Sequence, residues 1–497
     1  MWAALGLTLD RRLTFNAHIA DLKQRCSRRI NILKCIAGRE WGADRRTLLH
    51  LYTTLIRPIL DFNAFLFGNI SQTQSNKLES IQNSALRVAI GALRTTPIKN
   101  LNIETNIPPL VRRREYQLLR YLARSAARPE TTSFSIMSQP VPDELTDRQF
   151  KFPTINIRIK KLLNEYKVPF PHIIRCPPLQ AFWMNTPIET TLLFSDPKAT
   201  LIPEDIINMF NQFKSEHQDA SFIYTDGSRA DNRTGSAFLV DGYLQSSRLP
   251  DFFSVFSAEL QAIASALQYI DGSNLNHSKV VICTDSKSAV CALAAQHNSA
   301  HPIIDQIRKL INNSNKDIEI LWIPGHCGIP GNEKVDKGAK EILQDQPQDN
   351  LPCPASDYLN HLHSSFRTTL QLVWDLNPHY HLHQIKPRMG HWPSSNRNTK
   401  LQEIILARLR VGHTSLTHYH IIEHSPPPIC HRCGCRYTID HFLLRCPVYD
   451  SARHPLIRYT ATNRLPLTLS VLLGDSYPDL LDLLFVFLHE TKLELSI

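Results

Sequence analysis

Carboxylates are costly to bury, so acids that end apolar runs are the first candidates for chemistry. Asp226 follows the apolar run 221–224 within Thr225-Asp226-Gly227-Ser228, and Asp285 follows the run 279–283, again directly after a threonine, Thr284. Glu259 sits beside the apolar stripe of a helical pattern, within one turn of Phe256 and Ile263. Asp336 falls in the first turn of a further helical stretch, next to Val335. Taken singly, each has a plain explanation: an Asp after a strand makes a turn, and an acid early in a helix complements its dipole. Two strand-end acids on neighbouring strands, with two helix acids packed over that edge, are a different matter. They would gather negative charge in one cleft, which needs cations to be stable, and an oxygen-only ligand set favours Mg²⁺. A second constellation lies later in the chain. Cys430-x₂-Cys433, then His441 and Cys446, have the spacing C-x₂-C-x₇-H-x₄-C. Three thiolates and an imidazole can close a tetrahedral Zn²⁺ site, with Cys435 and His431 as substitute ligands. The plain alternative is a cysteine-rich turn with its thiols unligated.

The elements that would have to position the four acids can be read around them. Strands are expected at 221–224, 235–240 and 243–249, the last two joined by Asp241-Gly242, a strong hairpin signal. Residues 256, 260, 263, 267 and 270 are apolar at helical spacing. A buried-type strand follows at 279–283, then helices at 288–295 and 302–311, a strand at 318–323 and a helix at 333–343. Three strands in a meander, then helices alternating with two more strands, predict an α/β layer fold on a five-stranded mixed sheet.

The rest of the chain bounds the setting. At 497 residues several domains are expected. No apolar stretch is long enough to span a bilayer as a helix, and 480–488 contains Asp482. The first ten residues lack a basic leader, so a soluble intracellular protein with reduced cysteines is expected. Net charge is +10, but residues 1–130 hold 21 Lys/Arg against 9 Asp/Glu, or +12, which leaves −2 for the remainder. A basic arm suits nucleic-acid phosphates, and solvated helix faces would look the same. Residues 1–130 read as long helices rich in Leu, Ile and Arg, for example 19–36 and 48–60. Ten prolines between Pro140 and Pro203 mark 131–215 as a linker with little core. A helical connector at 346–425, a Cys/His segment at 426–455 and a tail at 456–497 complete the expected order.

The carboxylate runs resemble a known family. Tyr224-Thr225-Asp226-Gly227-Ser228, Ser257-Ala258-Glu259-Leu260, Thr284-Asp285-Ser286 and Trp322 to Asp336 with its Pro324-Gly325-His326-Cys327-Gly328 loop are similar to the type 1 ribonuclease H domain. The resemblance implies that a domain at 216–345 cuts the RNA strand of RNA–DNA hybrids with two Mg²⁺ ions, Mn²⁺ being a substitute. Asp226, Glu259 and Asp285 would bind one ion, and Asp226 with Asp336 the other. His326 would match the family's mobile histidine, which assists proton transfer or product release; a loop histidine without catalytic duty is the alternative. Asn332 also matches a family position, where capping of the last helix is expected. Selectivity for hybrids would come from contacts to 2′-hydroxyls. One departure shows: the connection between 295 and 302 leaves no room for the basic helix some relatives use to grip substrate. The domain itself counts 11 Lys/Arg against 13 Asp/Glu over 220–342. Its grip on substrate would then depend on the basic arm or another partner.

The flanks resemble retrotransposon sequence. Leu5-Gly6-Leu7-Thr8-Leu9-Asp10, Ile56-Arg57-Pro58-Ile59-Leu60, Arg94-Thr95-Thr96-Pro97 and Pro108-Pro109-Leu110 are similar to the all-α thumb and connection of jockey-like non-LTR reverse transcriptases. Arg408-Leu409-Arg410-Val411-Gly412-His413-Thr414 and the Cys/His spacing are similar to the end of the same polyproteins. No Asp-Asp pair occurs, so the polymerase palm is not expected, nor is DNA synthesis. The chain reads as the C-terminal part of a longer element product, whose polymerase part would be a partner. An active hybrid ribonuclease is the leading expectation. A catalytically silent nucleic-acid-binding remnant is the alternative, and a transposase-like or integrase-like enzyme acting on DNA is a third.

Overall fold

The computed structural model describes residues 2–4, 6–148, 150, 153–176, 187–194, 202–272, 277–295, 301–348 and 351–497. Leu5, parts of the Pro-rich stretch and the 296–300 connection lie outside them. The chain divides into two compact units, one of residues 1–118, 151–153 and 366–497, the other of 119–150 and 154–365. No helix among the described residues is long and apolar enough to cross a membrane.

The first unit opens with strands β1 (Trp2–Ala4) and β2 (Leu7–Leu9), paired antiparallel. Helix Asn16–Ile36 then buries Ile19, Leu22, Cys26, Ile30 and Leu33, steps of three and four that make one stripe. Helix Gln72–Ile90 packs beside it. Ser71 caps its start, accepting from the Gln74 amide at 3.4 Å, and Gly91 at φ 63° ends it. The helix expected at 48–60 is interrupted by a π turn at Tyr52–Ile56. Pro58 follows that turn and brings no N–H to continue the ladder, a standard cause of such a bulge. Residues 366–497 differ from the expected sequence of connector, small segment and tail. Helix Lys400–Val411 packs on Gln72–Ile90 and on Ile98–Thr105. Helices Asp450–Thr462 and Pro478–Glu490 share a core through Leu456, Leu480, Leu484 and Phe487. A hydrophobic tail has to cover its apolar side, and 456–497 does so by folding. Buried charges stitch the unit together: Arg45 meets Glu104 at 2.5 Å, and its backbone N–H donates to Glu403 at 2.7 Å. Removing one partner would strand the other charge, at about 3–5 kcal/mol.

The second unit is built on a sheet of order β3-β8-β7-β4-β5-β6. Its strands are β3 (Glu189–Leu192), β4 (Ala220–Ala230), β5 (Arg233–Val240), β6 (Tyr243–Leu249), β7 (Lys279–Thr284) and β8 (Asp317–Trp322). The sheet is mixed: β4, β5 and β6 form the antiparallel meander, while β4, β7, β8 and β3 run parallel. Asp241 and Gly242 turn the β5–β6 hairpin at φ 48° and 86°, as their types require. The expected count of five strands is corrected to six. β3 comes from the stretch read as a linker, where proline density hid the β-branched run Thr190-Thr191. No proline falls within 188–194, and the run pairs in register with Glu319 to Trp322. Helices Thr132–Met137, Ile155–Glu165 and Pro203–Glu216, with buried Met137, Ile157, Leu162, Ile206 and Phe210, likewise give that stretch more core than expected.

Two glycines show how the helices sandwich this sheet. A Cβ at Gly227 would fall 2.5 Å from the Glu259 amide nitrogen, and one at Gly235 would fall 2.7 Å from the Ala339 carbonyl. Gly227 pairs with Ser236 and Gly235 with Ser228, so the two glycines face opposite sides of the pleat. Helix Val255–Gly272 therefore covers one face and Pro330–Glu341 the other.

Candidate active site and metal centres

Asp226 does not end its strand. β4 continues to Ala230, so Asp226 lies within it, opposite Ala237. The glycine after it serves close helix approach rather than a turn, which brings the Val255–Gly272 helix, and with it Glu259, against the strand. Asp285 follows β7. Its backbone carbonyl accepts from the Trp322 indole at 3.1 Å. Gly325 lies against the Asp285 carboxylate so closely that any Cβ there would collide with Oδ2.

Asp226, Glu259 and Asp285 thus converge from a strand, a helix and a strand end. Each offers an oxygen, and these oxygens all lie within 4.8 Å of one another. At that separation, two ionised carboxylates in a medium of effective dielectric near 20 repel by about 3 kcal/mol or more. Asp226 and Glu259 are also 5% and 6% exposed, so water screens them little. Burial first, then the facing Asp285 and Asp336, pushes the Asp226 carboxyl up to about 7. Burial, then Asp226 and Asp285, pushes Glu259 up to about 10. Glu259 Oε2 is buried with no hydrogen-bond partner. An orphaned carboxylate oxygen among two others is a donor set suited to a hard divalent cation.

Asp336 stands in a neighbouring group. Helix Pro330–Glu341 starts earlier than expected because Pro330 is well placed in a first turn, so Asp336 occupies its second turn. Its carboxylate clusters with Glu333 and His326, again within 4.8 Å, and it is held by Lys340 at 2.7 Å. His326 Nδ1 is 3.9 Å from Asp336 Oδ2, and its side chain is largely exposed on its loop. Its φ of 57° places it in the left-handed region, where a non-glycine residue is uncommon. Asn332 does not cap this helix. The residue before the helix is Ile329, and Asn332 is buried in the first turn with Oδ1 lacking a partner. Lys340 and Glu333 escaped the sequence reading, although their i+4 and i−3 spacing from Asp336 could have drawn attention to them.

The Cys/His group, in the other unit, is compact. Cys430, Cys433, His441 and Cys446 each offer a ligand atom within 4.8 Å of the others. Cys446 Sγ is 3.7 Å from Cys430 Sγ and 4.0 Å from Cys433 Sγ. Tetrahedral Zn–S bonds of about 2.3 Å would set sulfurs about 3.8 Å apart, so the donors fit zinc. The turn closes locally: the Cys430 amide donates to the Cys435 carbonyl and the Gly434 amide to the Cys430 carbonyl, both at 2.8 Å. Of the substitutes, Cys435 Sγ lies 3.4 Å from His441 Nδ1, whereas His431 is exposed and outside the group.

Comparison with known proteins bears on the second unit most directly. Residues 218–344 match the family model for RNase H. The chain is 29% identical over 105 residues to a probable RNA-directed DNA polymerase from transposon BS of Drosophila melanogaster, covering 20% of this chain and 12% of that protein. It is 22% identical over 127 residues to the RNA-directed DNA polymerase from mobile element jockey of the same organism, covering 26% of this chain and 14% of that protein. The matched part is therefore a small fraction of either relative. Among solved structures, RNase H1 from the archaeon Halobacterium salinarum NRC-1 aligns at 18% identity and a TM-score of 0.22, over 26% of this chain and 99% of its own. Residues 218–344 constitute an RNase H domain, set in a chain related to the RNA-directed DNA polymerases of mobile elements.

Proposed function

We propose that the chain is an endonuclease that hydrolyses the RNA strand of RNA–DNA hybrids by a two-metal mechanism of the type 1 class. The observation that carries this reading is the convergence of Asp226, Glu259 and Asp285 with a buried, unpartnered Glu259 oxygen. These three would hold one Mg²⁺, or Mn²⁺ in its place, and Asp226 with Asp336 the second. Bound there, the ions would supply an activated water and charge stabilisation at the leaving 3′ oxygen. The chain's own groups have separate duties. Gly325 leaves room for Asp285. Lys340 holds Asp336 in place and must yield it when a cation takes over. His326, exposed on its loop near Asp336, can pass a proton to the departing oxygen and then swing clear. Cys430, Cys433, His441 and Cys446 would hold a structural Zn²⁺ that supports nucleic-acid contact.

The test is cleavage of an end-labelled hybrid in Mg²⁺ by the full chain and by Asp285→Asn, both purified from a host without its own ribonuclease H. RNA cutting lost in the variant supports the assignment. Silence of both proteins, folded and bound to hybrid, would instead make the chain a nucleic-acid-binding remnant. Cutting of duplex DNA offered in parallel would move it to the transposase-like class.

A further inference from the structure

Away from the carboxylates, the first unit holds an open cavity of about 680 Å³ whose wall carries four cations and no acid: Lys34, Arg87, Arg94 and Arg408. Lys34 is in the last turn of helix Asn16–Ile36, Arg87 in the last turn of Gln72–Ile90 and Arg408 in the last turn of Lys400–Val411. The simplest explanation is that each complements the negative end of its own helix. The charge count does not balance on that basis. Three helix ends supply about −0.5 each, or about −1.5 in all. Arg408 can be set aside, because it is committed to main-chain oxygens, donating to the Gly91 carbonyl and to the chain-end oxygen of Ile497, both at 2.7 Å. Lys34, Arg87 and Arg94 still bring three full positive charges, so an excess of roughly +1.5 remains.

Lys34, Arg87 and Arg94 form no ion pair with an Asp or Glu side chain among the described residues. Arg87 spends one Nη on the Thr96 carbonyl at 3.2 Å, while its buried Nε has no partner. Burial, and then the neighbouring Arg94, lowers the Arg87 pKa, with no carboxylate acting against them. Burial and Arg39 do the same for Arg408, down to about 10. A cavity that draws cations together without a counter-charge costs free energy unless an anion enters it. Guanidinium forks, with a lysine at the rim, suit phosphate oxygens better than a single carboxylate.

We infer that the cavity bounded by Lys34, Arg87, Arg94 and Arg408 is a seat for a phosphate of a nucleic-acid backbone, distinct from the carboxylate cleft. Its openness and its spread over three helix ends suit a phosphate on a continuing strand rather than an enclosed small anion. The site does not depend on the ribonuclease reading.

The experiment uses the full chain carrying Asp285→Asn, so that the probe is not consumed. Anisotropy of a fluorescein-labelled RNA–DNA hybrid is measured across salt for this protein, for added Lys34→Gln/Arg94→Gln, and for added Lys23→Gln/Arg46→Gln. All four of these side chains are exposed. Folding is checked by the melting midpoint. Loss of the contacts to this one phosphate is expected to weaken binding about tenfold near 0.1 M salt and to flatten the log–log salt slope by about 1. The Lys23/Arg46 pair, outside the cavity, should change the slope far less. Equal losses in both pairs, or none in either, would overturn the inference. A parallel melting series in inorganic phosphate against chloride at equal ionic strength separates the ligand's source. Stabilisation by phosphate that needs Lys34 and Arg94, with hybrid binding unmoved, would make the cavity a small-anion site and reject the nucleic-acid assignment.

Discussion

The carboxylate cleft and the Cys/His cluster both bring like-charged ligands together, yet they are assembled in opposite ways. The cleft draws Asp226, Glu259 and Asp285 from β4, a helix and the end of β7, so it exists only once the sheet and its helices are in place. The Cys/His donors all come from residues 430–446, and two backbone hydrogen bonds already close their turn. In the first case the fold gathers the acids and bears their repulsion. In the second a metal would help make the fold. Metal loss should therefore cost activity in one unit and stability in the other.

Asp285→Asn tests the cleft with the largest effect. Hybrid cleavage should fall by about a hundredfold or more, a loss typical for removal of one charge-stabilising group. The same substitution relieves repulsion in the metal-free protein, so its melting midpoint should be unchanged or higher. A clear drop in the midpoint would break the comparison. Cys446→Ser, or a zinc-selective chelator, should do the reverse, lowering the midpoint by about 5–10 °C. At a temperature below that melt, the Mg²⁺-dependent cleavage rate at saturating hybrid should be kept. An unchanged midpoint would mean that the thiols organise nothing. Gly325→Ala is a finer probe. A methyl group there must displace the Asp285 carboxylate, so a roughly tenfold loss of rate is expected with little change in melting. The smallest effect is expected from Lys340→Met. Freed of its ammonium partner, Asp336 should accept cations more readily, moving the Mg²⁺ activation midpoint down about twofold. A shift to higher Mg²⁺ would show that Lys340 positions Asp336 rather than competing for it.

Much of the cleft was legible because chemistry and local pattern coincide there. Asp226, Glu259 and Asp285 stand out as acids in apolar surroundings, and the flanking strands follow from β-branched runs and the Asp241-Gly242 turn. What stayed hidden depends on partners far along the chain. Nothing local says that β4 continues past Asp226; that follows from its pairing with β5 through Ala230. Thr190 and Thr191 become a strand only beside β8. Asp336 reads as a fourth ligand, yet its position beside Lys340, Glu333 and His326 depends on where helix Pro330–Glu341 begins. Prolines misled twice in opposite directions: Pro330 starts a helix earlier than its apolar pattern, and the crowd around 131–215 conceals ordered structure. The helices of 456–497 were overlooked because an apolar end can pack or fray, and only the matching surface of Phe442 and Leu443 decides between them.

β3 also bears on how this chain tolerates trimming. It covers the outer rim of β8, whose Ile318-Glu319-Ile320-Leu321-Trp322 would otherwise expose a row of unpaired amides and carbonyls. Glu319 ties the two strands, accepting from Thr191 Oγ1 at 2.6 Å and pairing with Lys279 at 3.1 Å. A piece cut at the start of the family-matched segment would lose this cover. Its bare rim would invite other copies to add on strand by strand, and aggregation could then pass for an inactive enzyme. Keeping residues 188–194 attached avoids that confusion, and the exposed Glu189 on β3 then places a charge at the rim.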